Sequence, residues 1–116
     1  MVPYPWSRGL YLWGAPIRVP RDSDERALEA VRLLIHPKAF GLAPRRVTVS
    51  TVGIVPRLAP LLAAVPVNLA VSLHATTDAV RDVLVPQNRH FPLAVLLGAL
   101  KALPQISARR PVFFEY

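Results

Sequence analysis

The sequence has no cysteine, and its 7 acidic residues are outnumbered by 14 lysines and arginines in a chain of 116 residues. The lack of cysteine excludes a disulfide scaffold and any thiolate site for zinc or an iron–sulfur cluster built by this chain alone. The two most apolar stretches, at 58–67 and 93–100, both fall short of the ~18 apolar residues that a membrane span needs. The 53% apolar content is too high for a disordered tail. We therefore predict a soluble protein with no membrane contact, cytoplasmic or, in a eukaryote, organellar.

The first 21 residues contain four prolines and no hydrophobic period, so we predict an irregular segment there with a short strand at 10–13. The remaining residues, 22–116, are predicted to form the domain. Asp22 can accept hydrogen bonds from the first-turn amides of a helix, and Glu25 three residues later completes a capping-box pattern. An apolar stripe at helical spacing follows, and Pro37 ends this helix.

Three stretches rich in β-branched or aromatic residues predict strands at 46–51, 67–74 and 112–116. Helical patterns separate them, at 56–64, from 77 to about 85, and at 93–103. Alternation of this kind predicts an α/β fold, in which parallel strands are joined by right-handed crossovers with the helices outside. Three or four strands are too few to close a barrel, so the expected sheet is a part of one.

The strand at 67–74 has one aliphatic face and one small, polar face formed by Asn68, Ala70, Ser72 and His74. A barrel strand shows this pattern when its inner face lines a ligand cavity. An edge strand with one face in water shows the same pattern. Periodicity alone does not distinguish these two interpretations.

Two segments carry a family resemblance: RRVTVSTVGIVP at 45–56 and VNLAVSLHATTDAVRDVLVPQNRHFPL at 67–93, with FEY closing the match at 114–116. They resemble the RlmN/Cfr type of radical-SAM enzyme, which methylates adenine in 23S ribosomal RNA. The spacing of the motifs agrees throughout. The resemblance implies a partial βα barrel of the TIM-like, radical-SAM type, with three or four parallel strands and outer helices.

The resemblance also implies that S-adenosyl-L-methionine (SAM) is the cofactor and that Ser50, Ser72, Leu73 and His74 contact it. These residues stand at the carboxyl ends of predicted strands, where βα barrels hold their ligands. Without the resemblance, Ser50 is more simply a hydroxyl that caps a loop and His74 a satisfied strand-end histidine. We predict that Ser50 and Ser72 share one rim of the sheet, with Arg45 at the opposite end of its strand.

The sequence departs from the family at the residues that carry the chemistry. The C-x3-C-x2-C ligands of the family's 4Fe–4S cluster and its methyl-accepting cysteine are missing, because the chain has no cysteine. The glutamate of the family's Met-Gly-Glu-Pro loop has no counterpart in either candidate segment, WGAP at 13–16 or RVP at 18–20. Residues before 22 do not resemble the family, which suggests a truncated or spliced gene. We expect no catalysis by this chain alone.

Between residues 30 and 77 there are five basic residues and no acidic one. This pattern suits contact with phosphate, and it equally suits a solvated basic surface. The resemblance favours 23S rRNA as the partner, with tRNA as a further substrate. Two other interpretations stay open, a non-catalytic RNA-binding remnant and a subunit that completes a split barrel. A partial barrel also leaves sheet edges through which the chain could associate.

Overall fold

The computed structural model describes residues 24–116, so the predictions for the irregular first segment, the domain boundary, the Asp22 cap and the 13–16 loop lie outside the described residues. The helices are α1 (Asp24–Ile35), α2 (Val55–Ala64), α3 (Asp78–Leu84) and α4 (Leu93–Ala102). The strands are β1 (Thr48–Thr51), β2 (Asn68–Ser72) and β3 (Val112–Glu115), and short 3-10 helices occupy Pro44–Arg46 and Pro86–Arg89. Within this part of the chain, none of the helices has the length and apolar character to cross a bilayer.

The three strands form one sheet in the order β1-β2-β3, and both strand pairs are parallel. Ser50 lies opposite Ala70, and Ser72 lies opposite Glu115. This topology confirms the predicted α/β fold with parallel strands and flanking helices. It also corrects one interpretation: β2 is the central strand, so its polar face is not that of an edge strand.

Apolar residues on one face of the sheet form the main core. Alternate residues of β2 point to this face, which is covered by α2 and α4. The buried members are Leu58, Leu62, Leu69, Val71, Leu96, Leu100 and Leu103. A second cluster of Val47, Val65 and Val67 packs against the apolar stripe of α1. Helices α2 and α4 therefore cover the aliphatic side of the sheet, and Ser50, which is exposed, and Ser72, which is half-buried, lie on the opposite side.

Two strands are shorter than the sequence pattern predicts. Strand β1 begins at Thr48 rather than at 46, because the preceding residues form a 3-10 helix that starts at Pro44. Strand β2 ends at Ser72, and His74 adopts a left-handed backbone with φ of 59°. Such a φ is uncommon for a residue with a side chain. Leu73 and His74 therefore belong to the turn after the strand.

The turn from β1 into α2 depends on a glycine. Gly53 is buried and has φ of 91°, a conformation that residues with a Cβ rarely adopt. A Cβ at this position would lie 2.8 Å from Cδ1 of Leu96 in α4. The missing side chain thus lets the first turn after β1 pack directly on the core helix.

Candidate functional site: the carboxyl-end rim of the sheet

Ser50 and Ser72 converge on one carboxylate. The Ser72 hydroxyl donates to Oε2 of Glu115 at 2.8 Å, and the Ser50 hydroxyl lies 3.2 Å from both oxygens of the same carboxylate. This confirms the prediction that the two serines share one rim. Arg45 lies in the 3-10 helix before β1, at the opposite end of the sheet, as predicted. Its carbonyl oxygen accepts from the Asn68 side chain at 2.8 Å, at the start of β2.

The main chain of Glu115 holds the other two predicted residues. Its carbonyl oxygen accepts from the Leu73 amide at 2.9 Å and from the His74 amide at 3.1 Å. Both contacts arise because β2 ends beside β3 and the chain then turns across the end of β3. We call Ser50, Ser72, Leu73, His74 and Glu115 the rim cluster. A single residue, Glu115, thus hydrogen-bonds to all four residues that the sequence singles out.

A buried arginine fastens the strand ends beneath the rim cluster. Arg81 of α3 is only 1% exposed. Its Nε donates to the Leu73 carbonyl at 3.0 Å, and its Nη2 donates to the carbonyls of Val52 at 2.8 Å and Ser72 at 3.3 Å. The guanidinium has donors in a fixed planar fork, which suits several fixed acceptors at once. Arg81 therefore ties the end of β1 to the end of β2.

An amide links the buried guanidinium to two carboxylates. Nη1 of Arg81 donates to Oδ1 of Asn88 at 2.7 Å, and Nδ2 of the fully buried Asn88 donates to Asp78 at 2.9 Å and Asp82 at 2.7 Å. Burial lowers the pKa of Arg81, and the charge of Asp78 opposes this shift. The guanidinium stays charged, because its ordinary pKa is far above neutrality. Asn88 thus joins the buried cation to carboxylates nearer the surface.

Asp78 also anchors the next helix. Its Oδ1 accepts from the Leu93 amide at 2.8 Å, at the start of α4, where first-turn amides have no partner within the helix. The hydrogen bond from the Leu93 amide lowers the pKa of Asp78 most, followed by the one from Asn88; burial opposes them, and the charge of Arg81 adds a smaller lowering. The network runs continuously from the strand ends through Arg81 and Asn88 to α4.

In the sequence, Glu115 and Arg81 stand out only as residues that match the motifs of the family. Periodicity is misleading in α3, since Val80, Val83 and Leu84 are 52–77% exposed while Arg81 is buried. The usable signal is an arginine followed seven residues later by an asparagine, with carboxylates on either side of the arginine. Glu115 could be placed beside Ser72 only by knowing the register of β3 against β2.

Comparison with solved structures defines the class of protein. The fold is similar to that of a radical SAM methyltransferase from Sphaerobacter thermophilus, with a TM-score of 0.69 and 39% sequence identity. The similarity covers 79% of this chain and 27% of that chain. The three parallel strands and their helices are therefore part of a radical SAM barrel.

Comparison with curated proteins gives the family within this class, although no protein-family model matches the chain. The dual-specificity RNA methyltransferase RlmN of Geotalea uraniireducens (strain Rf4) is 53% identical over 97 residues, which are 84% of this chain and 28% of that protein. The RlmN of Geobacter sulfurreducens is 45% identical over 84% of this chain and 27% of its own length. Over 84% of its length the chain is therefore similar to one segment of RlmN enzymes, and it spans about a quarter of the length of these relatives.

Proposed function

We propose that this chain supplies the SAM-binding rim of an RlmN-type methyltransferase that modifies adenine in 23S rRNA, with tRNA as a second substrate. The observation that carries this proposal is the rim cluster. The four residues that the family resemblance assigns to SAM all meet Glu115 at the carboxyl ends of the strands. The matched relatives are dual-specificity RNA methyltransferases by name, which supports RNA as the substrate class.

The polar groups of the rim cluster fit the amino-acid and ribose parts of SAM. Ser50 and His74 are exposed, and Ser72 is half-buried, so a ligand on this side of the sheet can reach both hydroxyls and the imidazole. The main chain beneath them is fixed by Arg81, so these groups are held in place before a ligand arrives. In a complete enzyme, bound SAM supplies the methyl group that is transferred to RNA.

The residues of this chain do not fit a 4Fe–4S cluster. The sequence has no cysteine, and residues 24–116 contain no group of three His, Asp or Glu side chains that could hold a metal ion. The thiolate ligands of the family's cluster would have to come from other residues of a complete enzyme. For the isolated chain we therefore propose cofactor binding without catalysis.

The basic residues of the predicted phosphate-binding stretch are divided between the two ends of the sheet. Lys38, Arg45 and Arg46 are exposed in the connection between α1 and β1, which enters the amino end of β1. Arg57 lies near the start of α2, on the side of the rim. The three residues at the amino end of β1 support RNA backbone contacts remote from the rim cluster. They also suit the alternative of a non-catalytic RNA-binding protein.

The open sides of β1 and β3 support association with further barrel strands. These strands are the two edges of the described sheet, and Phe113 and Phe114 of β3 are 49% and 48% exposed. Unpaired edges bind other strands readily. The missing strands could belong to the same polypeptide or, in the split-barrel alternative, to a second one.

A chimeric enzyme tests the proposal. Residues of this chain would replace the matching 97-residue segment of the Geotalea uraniireducens RlmN, which restores the rest of the barrel. We expect the chimera to methylate adenine in 23S rRNA, measured by mass spectrometry of digested rRNA from a strain that lacks the enzyme. Calorimetric titration of the isolated chain should show SAM binding no tighter than the millimolar range, or none, because the glutamate loop and the cluster ligands of the family are missing.

Substitutions in the chimera test the role of the two serines. The chimera with both Ser50→Ala and Ser72→Ala should lose most of its methylation activity. The matched control, the chimera with Ser107→Ala, should keep its activity. Ser107 is exposed in the turn before β3 and lies outside the rim cluster. A folded chimera that contains its iron–sulfur cluster but leaves rRNA unmethylated would contradict the proposal.

A further inference from the structure

Basic side chains collect at the end of the sheet opposite the rim cluster. The connections that lead into β1 and β3, residues 36–47 and 103–111, contain five basic residues and no acidic one. Helix α4 adds Lys101 in its last turn, just before the second connection. The carboxylates of Asp78 and Glu115 lie at the other end, at the start of α3 and the end of β3. The two connections therefore carry charge of one sign at the amino end of the sheet.

The start of β2 brings the two connections together. The Asn68 side chain donates to the Arg45 carbonyl at 2.8 Å, and the Asn68 amide donates to the Val47 carbonyl at 2.9 Å. On the other side of β2, Nε of Arg110 donates to the Val67 carbonyl at 3.0 Å. Because β1 and β3 flank β2, the two connections lie two strand spacings apart, or about 10 Å.

A tight turn before β3 exposes one arginine and directs the next inward. The main-chain groups of Ser107 and Arg110 exchange two hydrogen bonds, of 3.1 and 3.0 Å, so Arg109 lies at the tip between them. The Arg110 guanidinium is directed at the carbonyls of Val65 and Val67, which fixes the turn against the start of β2. Five basic residues are exposed here, and we call them the amino-end surface: Lys38, Arg45, Arg46, Lys101 and Arg109.

The cations of the amino-end surface are not neutralised by neighbouring side chains. Within residues 24–116, none of the five forms an ion pair. A basic residue in the last turn of a helix is stabilised by the helix dipole, which accounts for Lys101. It does not account for Arg109, which lies in a turn remote from any helix end. Several exposed cations with no anion among them form the kind of surface that binds the phosphate groups of a nucleic acid.

We propose that the amino-end surface binds the phosphate backbone of RNA, at the opposite end of the sheet from the rim cluster. The choice of RNA as partner rests on the proposed function, and the turn before β3 extends the contact across the whole sheet. The strands contain 4 and 5 residues, so roughly 15 Å of sheet separates the two ends. The RNA bound here is therefore separate from the nucleotide at the rim. Such contacts position a large folded RNA without reading its sequence.

The test measures binding of a fluorescein-labelled RNA hairpin to the full chain by fluorescence anisotropy, over a series of KCl concentrations. The double variant Arg45→Gln/Arg109→Gln removes one charge from each connection. The structural contact of Arg45 uses its main-chain carbonyl, which this variant keeps. The matched control is Arg26→Gln/Arg89→Gln, which removes two charges from exposed positions elsewhere on the chain. The variant Arg45→Lys/Arg109→Lys keeps both charges.

We expect Arg45→Gln/Arg109→Gln to weaken RNA binding about tenfold at low salt. The slope of log Kobs against log salt concentration should fall by about 2, one unit for each lost phosphate contact. The lysine variant should keep the slope of the wild type, and the control should change the affinity by less than about twofold. Equal weakening by the two glutamine variants would overturn the proposal, because binding would then follow net charge alone. A wild-type chain that does not bind the hairpin at low salt would also overturn it.

The RlmN chimera separates this proposal from the proposed function. In an active chimera, Arg45→Gln/Arg109→Gln should raise the KM for 23S rRNA about tenfold and leave kcat as it was, because these residues act on RNA binding. A lowered kcat with an unchanged KM would contradict a role in RNA binding. If the chimera does not methylate rRNA while the isolated chain binds RNA through the amino-end surface, the proposed function fails and the RNA contact stands.

Discussion

Removal of the buried guanidinium under the rim should destabilise the whole domain. Arg81→Met keeps the apolar stem and deletes the donors that reach the carbonyls of Val52 and Leu73 and the side chain of Asn88. A buried acceptor without a donor costs about 1–3 kcal/mol. Because neighbouring losses are not additive, we expect a total of about 3–5 kcal/mol. That is a large part of the roughly 5–15 kcal/mol that stabilises a typical domain.

Urea denaturation followed by circular dichroism measures this loss. With a slope of about 2 kcal/mol per molar urea, the midpoint should fall by about 2 M. The control is Arg26→Met, which makes the same replacement on an exposed position of α1. It should change the free energy of unfolding by less than about 0.5 kcal/mol.

A second variant keeps the prediction testable if Arg81→Met does not fold. Arg81→Lys retains the charge but replaces the planar fork by one ammonium, so we expect a smaller loss of about 1–2 kcal/mol. If Arg81→Met and Arg26→Met unfold at the same urea concentration, the guanidinium does not hold the strand ends as described here. The amide signals of Leu73 should shift in both Arg81 variants, since Nε of Arg81 donates to its carbonyl.

Four other outcomes are expected. Gly53→Ala should lower the free energy of unfolding by about 2–4 kcal/mol, because residue 53 has a positive φ and the new Cβ would clash with Leu96. Gly98→Ala should raise the free energy of unfolding by about 0.5–1 kcal/mol, because the new Cβ has no atom within 4 Å and alanine favours the helix. Urea titrations measure both changes. The Asp78 carboxyl should titrate below its ordinary pKa of 3.8 by NMR, because the Leu93 amide stabilises its charged form; its contribution to stability is then complete above that value and is lost as the pH falls through the lowered pKa. Anaerobic reconstitution with iron and sulfide should leave the chain without bound iron by metal analysis, and stoichiometric iron would contradict this. Light scattering should find oligomers or aggregates formed through the open sheet edges, and a monodisperse monomer would contradict that.

The alternation of strand and helix patterns was enough to predict the parallel sheet. It also placed Ser50 and Ser72 at the same ends of their strands, because carboxyl ends of parallel strands meet at one rim. The pattern did not predict that β2 would stop at Ser72, since the φ of 59° at His74 follows from contacts with β3. The central position of β2 also required knowledge of which strands pair.

The role of Arg81 beneath the rim cluster could not be predicted from the sequence, because its burial contradicts the hydrophobic periodicity of α3. Helix α3 exposes Val83 and buries Arg81, which is the reverse of an ordinary amphipathic helix. The inversion is stable because the guanidinium finds acceptors at the strand ends and its charge is linked through Asn88 to carboxylates. Such an arrangement depends on side chains from separate elements meeting in space, which spacing along the chain does not reveal. The assignment of SAM to the rim cluster stays a prediction.

The rim cluster can assemble only after Glu115 has been synthesised, because Glu115 contacts residues that lie much earlier in the chain. Glu115 follows Ser72 by 43 residues and Ser50 by 65. At a synthesis rate of ~5–20 residues per second, the nascent chain exposes one side of β2 for roughly 2–9 s before β3 can pair with it. During that interval the growing polypeptide presents an open strand edge to chaperones and neighbouring chains. Proteolysis at any point between Ser72 and Val112 would separate Glu115 from both serines along the chain. The rim cluster is therefore completed only once β3 has been synthesised.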